Sequence, residues 1–536
     1  MPKGQAHRIK GDFVVPKNSL AYALANPLAV MLDKDPRDFT RADFLKVIAE
    51  KRIERITFHY TGLDGKLKEL KLPVSDPDQA ESILAEGERV DGSSLFKGMV
   101  DASLSDLYVA PVYSTAFINP LDEGSLDFIC RYLTNDGDFA PFALDSILAK
   151  ACRVFRRNSG LELQIMGELE FFLIGDHGPR LYPAQKQQGY HAAAPYLKSG
   201  PILNEIVRSI TQITGAVKYA HSEVGYVESV HSDLEEISGK QAEQLEVEFT
   251  PRPAEEMADA LVLGRWLIRN IAYQHGCVAT FTPKIEEGIA GNGLHFHMEL
   301  LKDGKNIMAD NKGKLTARAR RLVGGLCAYA DSLTAFGNTV SSAYLRLVPH
   351  QEAPTRVCWS DLNRSALIRV PLGWGNLRDL GKRLNPRERG DFSADQGRQT
   401  VELRSPDGSA IIHLLLAGIV MAADWAFREG ESAARKNRPL ELADKLYVQG
   451  NVFDDQALLQ RLPALPRSCV ESSRVLLEKR ELYERDGIFP RSVIDYMARM
   501  LQGEDDETMN QGLADLPADD RLHETRRIMH KDLHRH

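Results

Sequence analysis

The sequence predicts an α+β protein in which a small, mostly β N-terminal domain precedes a larger mixed one. Three observations carry this: a hairpin pattern early in the chain, strands and helices that later mix without strict βαβ alternation, and a length of 536 residues. Residues 1–40 show little periodicity and are expected to form an extension. ADFLKVIAEKRI (42–53) has helical spacing, and in RITFHY (55–60) the residues Ile56, Phe58 and Tyr60 alternate as on a strand. The turn GLDG (62–65), followed by Leu70, Leu72 and Val74 at period two, completes a hairpin. The first domain is expected over 41–135 and the larger one over 136–502. The acidic run GEDDE (503–507) and the basic residues after it, to 536, predict a solvated, charged tail.

Composition narrows the function. Hydrophobic residues at 43% and charged residues at 26% are ordinary for a globular protein. A formal charge of −8 offers no basic footprint, so nucleic acid is not an expected partner. Six cysteines without a CxxC pair predict reduced thiols and no zinc site. The N-terminal MPKGQAHRIKGDF lacks the apolar core of a secretory signal. The most apolar run, 411–423, is interrupted by His413 and too short to span a bilayer. A soluble, cytoplasmic protein without a membrane partner is expected.

The chemistry is concentrated in strand-like segments. In MGELEFFLI (166–174), residues two apart share a face, so Glu168 and Glu170 stand together while Leu169 and Phe171 face the other way. QLEVEFTP (244–251) does the same with Glu246 and Glu248, GLHFHMEL (293–300) with His295 and His297, and TVELRSPD (400–407) with Glu402 and Arg404. Four such strands suggest one polar cavity. Carboxylates converging there would repel each other and lose hydration unless cations neutralised them. Oxygen-rich ligation with little imidazole suits Mg²⁺ or Mn²⁺ better than zinc. Arginines beside the carboxylates point to anionic occupants such as phosphate and carboxylate. GxxxxGK[ST] is absent, and GNG (291–293) lacks the third glycine of a dinucleotide fingerprint, so any nucleotide must be held in another way.

Eight segments in order carry a resemblance: RVDGSSLFKG (89–98), GELEFFLI (167–174), HSEVG (221–225), EQLEVEF (243–249), HGCVATFTPK…GNGLHFHMEL (275–300), YLRLVPHQEAP (344–354), NRSALIRVP (363–371) and VELRSPDGSA (401–410). The chain resembles the glutamine synthetase family of ATP-dependent glutamate–ammonia ligases. The resemblance implies a β-grasp N-terminal domain and a catalytic domain whose strands form an open antiparallel barrel with flanking helices. It implies two divalent metals per active site, ATP as co-substrate, and a homo-oligomer, a dodecamer of two hexameric rings, with active sites between subunits. Glu170, Glu223 and Glu246 match the ligands of the glutamate-side metal; Glu168, His295 and Glu402 match those of the phosphate-side metal. Gly291, Arg346 and Arg404 fall where the family holds glutamate, His297 and Arg369 where it holds ATP phosphates, and Phe249 near its adenine.

The implied reaction has two steps. ATP phosphorylates the γ-carboxylate of glutamate, with Arg364 stabilising the transferring phosphoryl group. Ammonia, released from ammonium by the latch aspartate Asp91, then attacks the acyl phosphate, while Glu352 in a mobile flap shields that intermediate from water. Tyr190 joins Asp91 and Glu352 around the ammonium pocket. The chain departs from the family pattern by an insertion near 226–242, by Glu299 where a serine is common, and by Ile411-Ile412-His413 in place of Asn-Pro-Tyr. Two alternatives stay open: a γ-glutamyl-amide ligase that uses an alkylamine or polyamine, and a catalytically silent scaffold of the same fold.

Overall fold

The early hairpin forms where its alternation places it. In the computed structural model, which describes residues 7–8, 14–15, 22–100, 105–176, 181–348, 354–373, 379–390, 397–428 and 433–536, the N-terminal unit is built on one sheet. Its strands β1 (Arg55–Thr61), β2 (Leu67–Pro73), β3 (Glu88–Asp91), β4 (Asp106–Pro111) and β5 (Ser125–Leu133) lie in the spatial order β2-β1-β5-β4-β3. Helix α1 (Arg41–Lys51) begins where Thr40 donates its N–H to Asp43, and lays Phe44, Val47 and Ile48 on this sheet. Phe44 meets Phe128 edge to face at 4.9 Å. Alternation in RITFHY suggests one wet face, yet β1 is buried on both faces beyond its first residue. The second face meets the catalytic unit: His59, 2.7 Å from Asp127 on the neighbouring strand β5, stacks edge-on to Trp266 of the catalytic unit at 5.0 Å. Part of the expected extension also packs, since Leu28, Ala29 and Phe39 are buried.

The larger unit is organised by a second sheet, built from β6 (Glu162–Gly175), β7 (Val217–Val227), β8 (Gln241–Phe249), β9 (Leu294–Lys302), β10 (Trp359–Asp361), β11 (Ile368–Val370) and β12 (Val401–Leu403). The order is β7-β8-β6-β9-β12-β11-β10, antiparallel except for the β10·β11 pair. Helices α2 (Leu144–Ser159), α3 (Gly200–Thr214), α4 (Ala254–Gln274), α5 (Ala317–Gly337) and α6 (Ile412–Phe427) supply the rest of the core. The apolar run at 411–423 is the centre of that core: α6 is buried along this stretch and packs on α2, α4 and α5. Among the described residues no helix is long and apolar enough to cross a membrane. All six cysteines are free and buried.

The segment after 503 is not the solvated tail that its charge suggests. Helix α7 (Ala518–His530) and the residues after it fold back on the catalytic unit, where Met529 and Leu533 are buried. Several charges of this segment are paired within the fold. Glu504 accepts from Ser341 Oγ (2.8 Å), Lys531 Nζ (2.8 Å) and Arg535. Burial pushes the Glu504 carboxyl up, but these three donors outweigh it and hold it down, from 4.5 to about 2.

A carboxyl depressed in the folded state stabilises the fold above its ordinary value, and that contribution is lost as pH falls through the folded one. The stability difference between the wild type and Glu504→Gln, measured by urea unfolding, should therefore be full at pH 7 and shrink as pH falls from 4.5 towards 2.

Candidate active site

Strand register draws a line of polar side chains across the large sheet. Glu170 lies opposite Glu246, and Glu168 opposite Glu248, on β6 and β8. His221 on β7 is opposite Glu246, and His295 on β9 is opposite Glu168. Glu402 on β12 faces His297 on one side and Arg369 on the other. The intervening residues Leu169, Phe171, Val247, Phe249, Phe296 and Leu403 point the other way and are fully buried in the core. Like charges directly opposite each other destabilise a sheet, so this row has no structural advantage of its own.

The same alternation corrects one expected contact. Period two places Glu246 and Glu248 in the cleft and turns Phe249 beneath α3 and α4, where its ring faces Gly264 and Ile210. The side chain of Phe249 therefore does not border a nucleotide on the carboxylate face.

Among the described residues three overlapping groups of donor atoms form along the row: Glu168, His297 and Glu402; His221, Glu223 and Glu246; and Glu168, Glu246 and Glu248. On one side both imidazoles close on Glu168: His295 Nδ1 is 2.9 Å from Glu168 Oε2, and His297 Nε2 is 2.8 Å from Glu168 Oε1. Glu402 Oε1 is 3.9 Å from His295 Nδ1, and Glu168, His297 and Glu402 offer donor atoms within 4.8 Å of one another. On the other side His221 lies 3.7 Å from Glu223 and 3.6 Å from Glu246. A break in register between Ser222 and Tyr226 marks a bulge that re-aims Glu223 into this group. Glu170 lies opposite Glu246, and its Oε2 accepts the Gly293 N–H at 2.7 Å and the Gln244 Nε2 amide at 3.2 Å beside the second group.

The electrostatics show what the row lacks. Burial, then repulsion by Glu168, Glu170, Glu223 and Glu402, pushes the Glu246 carboxyl well above the usual range. Burial is also the main cause that raises Glu170 to about 7, with Glu223 adding to it. On the imidazole side the balance reverses. Burial pushes Glu168 up, but His297 and His295 outweigh it and hold it well below its ordinary value. These oxygen and imidazole donors, with atoms within 4.8 Å of one another in each group, fit divalent cations, which would cancel the repulsion.

The arginines flank the carboxylates. Arg404 Nε donates to Glu402 Oε1 at 3.0 Å and Arg369 donates to Glu402 Oε2 at 2.9 Å, so both oxygens of Glu402 are gripped. Arg364 is exposed, and its carbonyl accepts from Arg404. Arg346 ends a short helix (Ala343–Arg346), donates to the Ser405 carbonyl at 3.0 Å and approaches His295 at 3.4 Å. Gly291 and Gly293 leave room for it. A Cβ at Gly293 would stand 2.6 Å from His295 Nε2 and 3.0 Å from Arg346, which a side chain does not tolerate.

The acceptor residues are placed less fully. Tyr190 is 48% exposed, and its ring is 5.3 Å from His221 at the carboxylate row. Asp91 ends β3 and makes its hydrogen bonds within its own turn, to Ser93 and Ser94, which draw its carboxyl down to about 2. Glu352 lies outside the described residues. Sequence reasoning gave no role to His221 and Gln244, and it placed Glu248 beside Glu246 without assigning it one. His221 stands two residues from Glu223, and Gln244 and Glu248 stand two residues from Glu246, so alternation from those glutamates marks them. Glu248 is 98% buried, paired to Lys218 at 2.6 Å.

Replacing Glu168 or Glu402 by alanine should leave the fold intact and weaken Mn²⁺ binding, read by paramagnetic resonance, by about tenfold or more, since each loses a ligand and not a packing contact.

Comparison with known proteins fits this geometry. The glutamine synthetase catalytic-domain family matches residues 146–511 and the glutamine synthetase β-grasp family residues 52–135. Glutamine synthetase of Methylococcus capsulatus is 28% identical over 481 residues, 85% of this chain and 94% of that protein. That of Pyrococcus horikoshii is 31% identical over 376 residues, 69% of this chain and 74% of that protein. The solved structure of Plasmodium falciparum glutamine synthetase superposes with a TM-score of 0.67 at 20% identity, covering 90% of this chain and 98% of that one. With a β-grasp sheet, the carboxylate-lined catalytic sheet and both domain matches in place, the chain belongs to the glutamine synthetase family of ATP-dependent ligases.

Proposed function

We propose that the protein joins ammonia to the γ-carboxylate of L-glutamate, with ATP consumed through a γ-glutamyl phosphate intermediate and L-glutamine formed. The observation that carries this is the row of Glu168, Glu170, Glu246, His295, His297 and Glu402 across paired strands, with Arg346, Arg369 and Arg404 beside it. A cleft whose carboxylates and imidazoles fit divalent cations, flanked by arginines, suits a reaction in which two anions, a triphosphate and a carboxylate, must meet. Two Mg²⁺ or Mn²⁺ ions, held by Glu168, His295, His297 and Glu402 on one side and by His221, Glu223 and Glu246 on the other, would supply charge neutralisation and polarise the reacting oxygens.

The chain's own residues supply the rest. Arg346 and the Gly291 backbone bind and orient glutamate, with Arg404 steadying the metal ligand Glu402 beside them. Arg369 and Arg364 face the phosphates and hold charge on the transferring group. Asp91 of the partner subunit, ionised through its serine hydrogen bonds, draws ammonium in and accepts its proton as the amine attacks the acyl phosphate. Glu352 closes the site against water. Because Asp91 bonds only within its own turn and is exposed, its role needs a neighbouring copy, which supports a ring assembly with active sites between subunits.

A second reading, a γ-glutamyl-amide ligase for a longer amine, is favoured by the half-exposed Tyr190, which leaves the acceptor side open in a single chain. Phosphate release from ATP with glutamate and a panel of amines separates the two. The expected result is a higher kcat/KM for ammonium than for methylamine, ethanolamine or putrescine, with Asp91→Ala depressing glutamine formation far more than ATP or glutamate binding. A higher value for any of those amines would replace the ammonia reading, and no phosphate release with any acceptor would favour a silent scaffold.

A further inference from the structure

The insertion near 226–242 and the segment after 503 meet on one wall of the site. The insertion lengthens β7 and β8 and buries Val230 and Ile237 against Phe172 and Ile174 of β6. Leu533 completes that cluster, together with Ile285 and Ile289 from the loop 283–291.

The loop has an inner and an outer side. On the inner side, the Gly291 carbonyl accepts from Gln244 at 3.1 Å, and a Cβ at Gly291 would stand 3.2 Å from Arg346 Cδ. On the outer side, the C-terminal segment binds the loop and the strand residues that lead into it. His530 Nε2 donates to the Ile285 carbonyl at 2.8 Å, and Arg526 Nε pairs with Glu286 at 3.0 Å. Thr280 and Thr282 donate to the carbonyls of Leu533 (2.7 Å) and Met529 (3.2 Å). The same segment reaches Ser341, ahead of Arg346, through Lys531 at 3.1 Å. Within itself the loop is closed by the Asn292 N–H to the Pro283 carbonyl (3.0 Å) and the Lys284 ammonium to the Ile289 carbonyl.

We propose that the segment 518–536 is a splint for the glutamate-binding loop 283–291, with His530 and Arg526 as its positioning residues; this rests on the assignment of Gly291 to glutamate. Neither residue touches substrate. They hold the outer side of the loop so that its inner side stands ordered beside Arg346 before glutamate arrives. Binding then bears less of the entropy of ordering the backbone. The carboxylate row is carried by strands and does not depend on the loop, so the splint should act on glutamate binding and not on ATP or on turnover.

The test uses full-length, metal-loaded enzyme with His530→Ala, Arg526→Ala and the donor-preserving His530→Gln. The expected result for His530→Ala is a KM for glutamate raised about tenfold, the factor for one lost hydrogen bond, with kcat and the KM for ATP within about twofold. His530→Gln should recover most of the loss. Amide hydrogen exchange should speed up at 283–292 in both alanine variants and stay unchanged in the carboxylate strands. If His530→Ala fails to fold, Glu286→Gln breaks the Arg526 pair from the side of the loop and should give the same exchange pattern. Unchanged exchange at 283–292, or KM values for glutamate and ATP that rise together, would overturn the splint. A wild type that turns over no glutamate would overturn the functional reading instead, and the exchange result would still decide whether the splint exists.

Discussion

The structure turns on repulsion between carboxylates that backbone pairing forces to face each other. Antiparallel register sets Glu170 against Glu246 and Glu168 against Glu248, and these side chains cannot separate without a slip that would carry the whole apolar set of each strand out of the core. The hydrophobic face thus locks the acidic face in place. Energy gained by burying Leu169, Phe171, Val247 and Phe249 holds together charges that would otherwise spread apart or take up protons.

Much of the surrounding architecture answers that repulsion. Both imidazoles close on Glu168, two arginines grip Glu402, and Gly293 omits the side chain that would push His295 away. Glu246 and Glu223 stand beside His221, and burial with repulsion by neighbouring carboxylates pushes Glu246 well above its ordinary range, whereas the imidazoles hold Glu168 well below its own.

The site was legible in the sequence because strand alternation is a local property. Once MGELEFFLI reads as a strand, the placement of Glu168 and Glu170 on one face follows, and the same holds for His295 with His297 and Glu402 with Arg404. Three things were not legible. The bulge that re-aims Glu223 is set by pairing between distant strands, which also brings His221 within 3.7 Å of Glu223 and 3.6 Å of Glu246. Phe249 obeys the same alternation as its neighbours, but family resemblance placed it by motif and not by face. The segment after 503 looked solvated because its charges are dense; folding docks it on residues more than two hundred positions away, as Arg526 pairs with Glu286 and His530 with the Ile285 carbonyl. No local pattern announces such pairs.

If facing carboxylates are the governing constraint, the protein stripped of metal should be measurably less stable than the protein supplied with it. The direct measurement is the unfolding temperature of chelator-treated enzyme at pH 7 as Mn²⁺ or Mg²⁺ is added without ATP or glutamate. Ligand binding to the folded state alone raises stability by about 2.7 kcal/mol at a hundredfold excess over Kd, so Tm should climb steadily with metal concentration. A Tm that stays constant up to saturating metal would contradict the claim that cations, and not the protein alone, hold this row together.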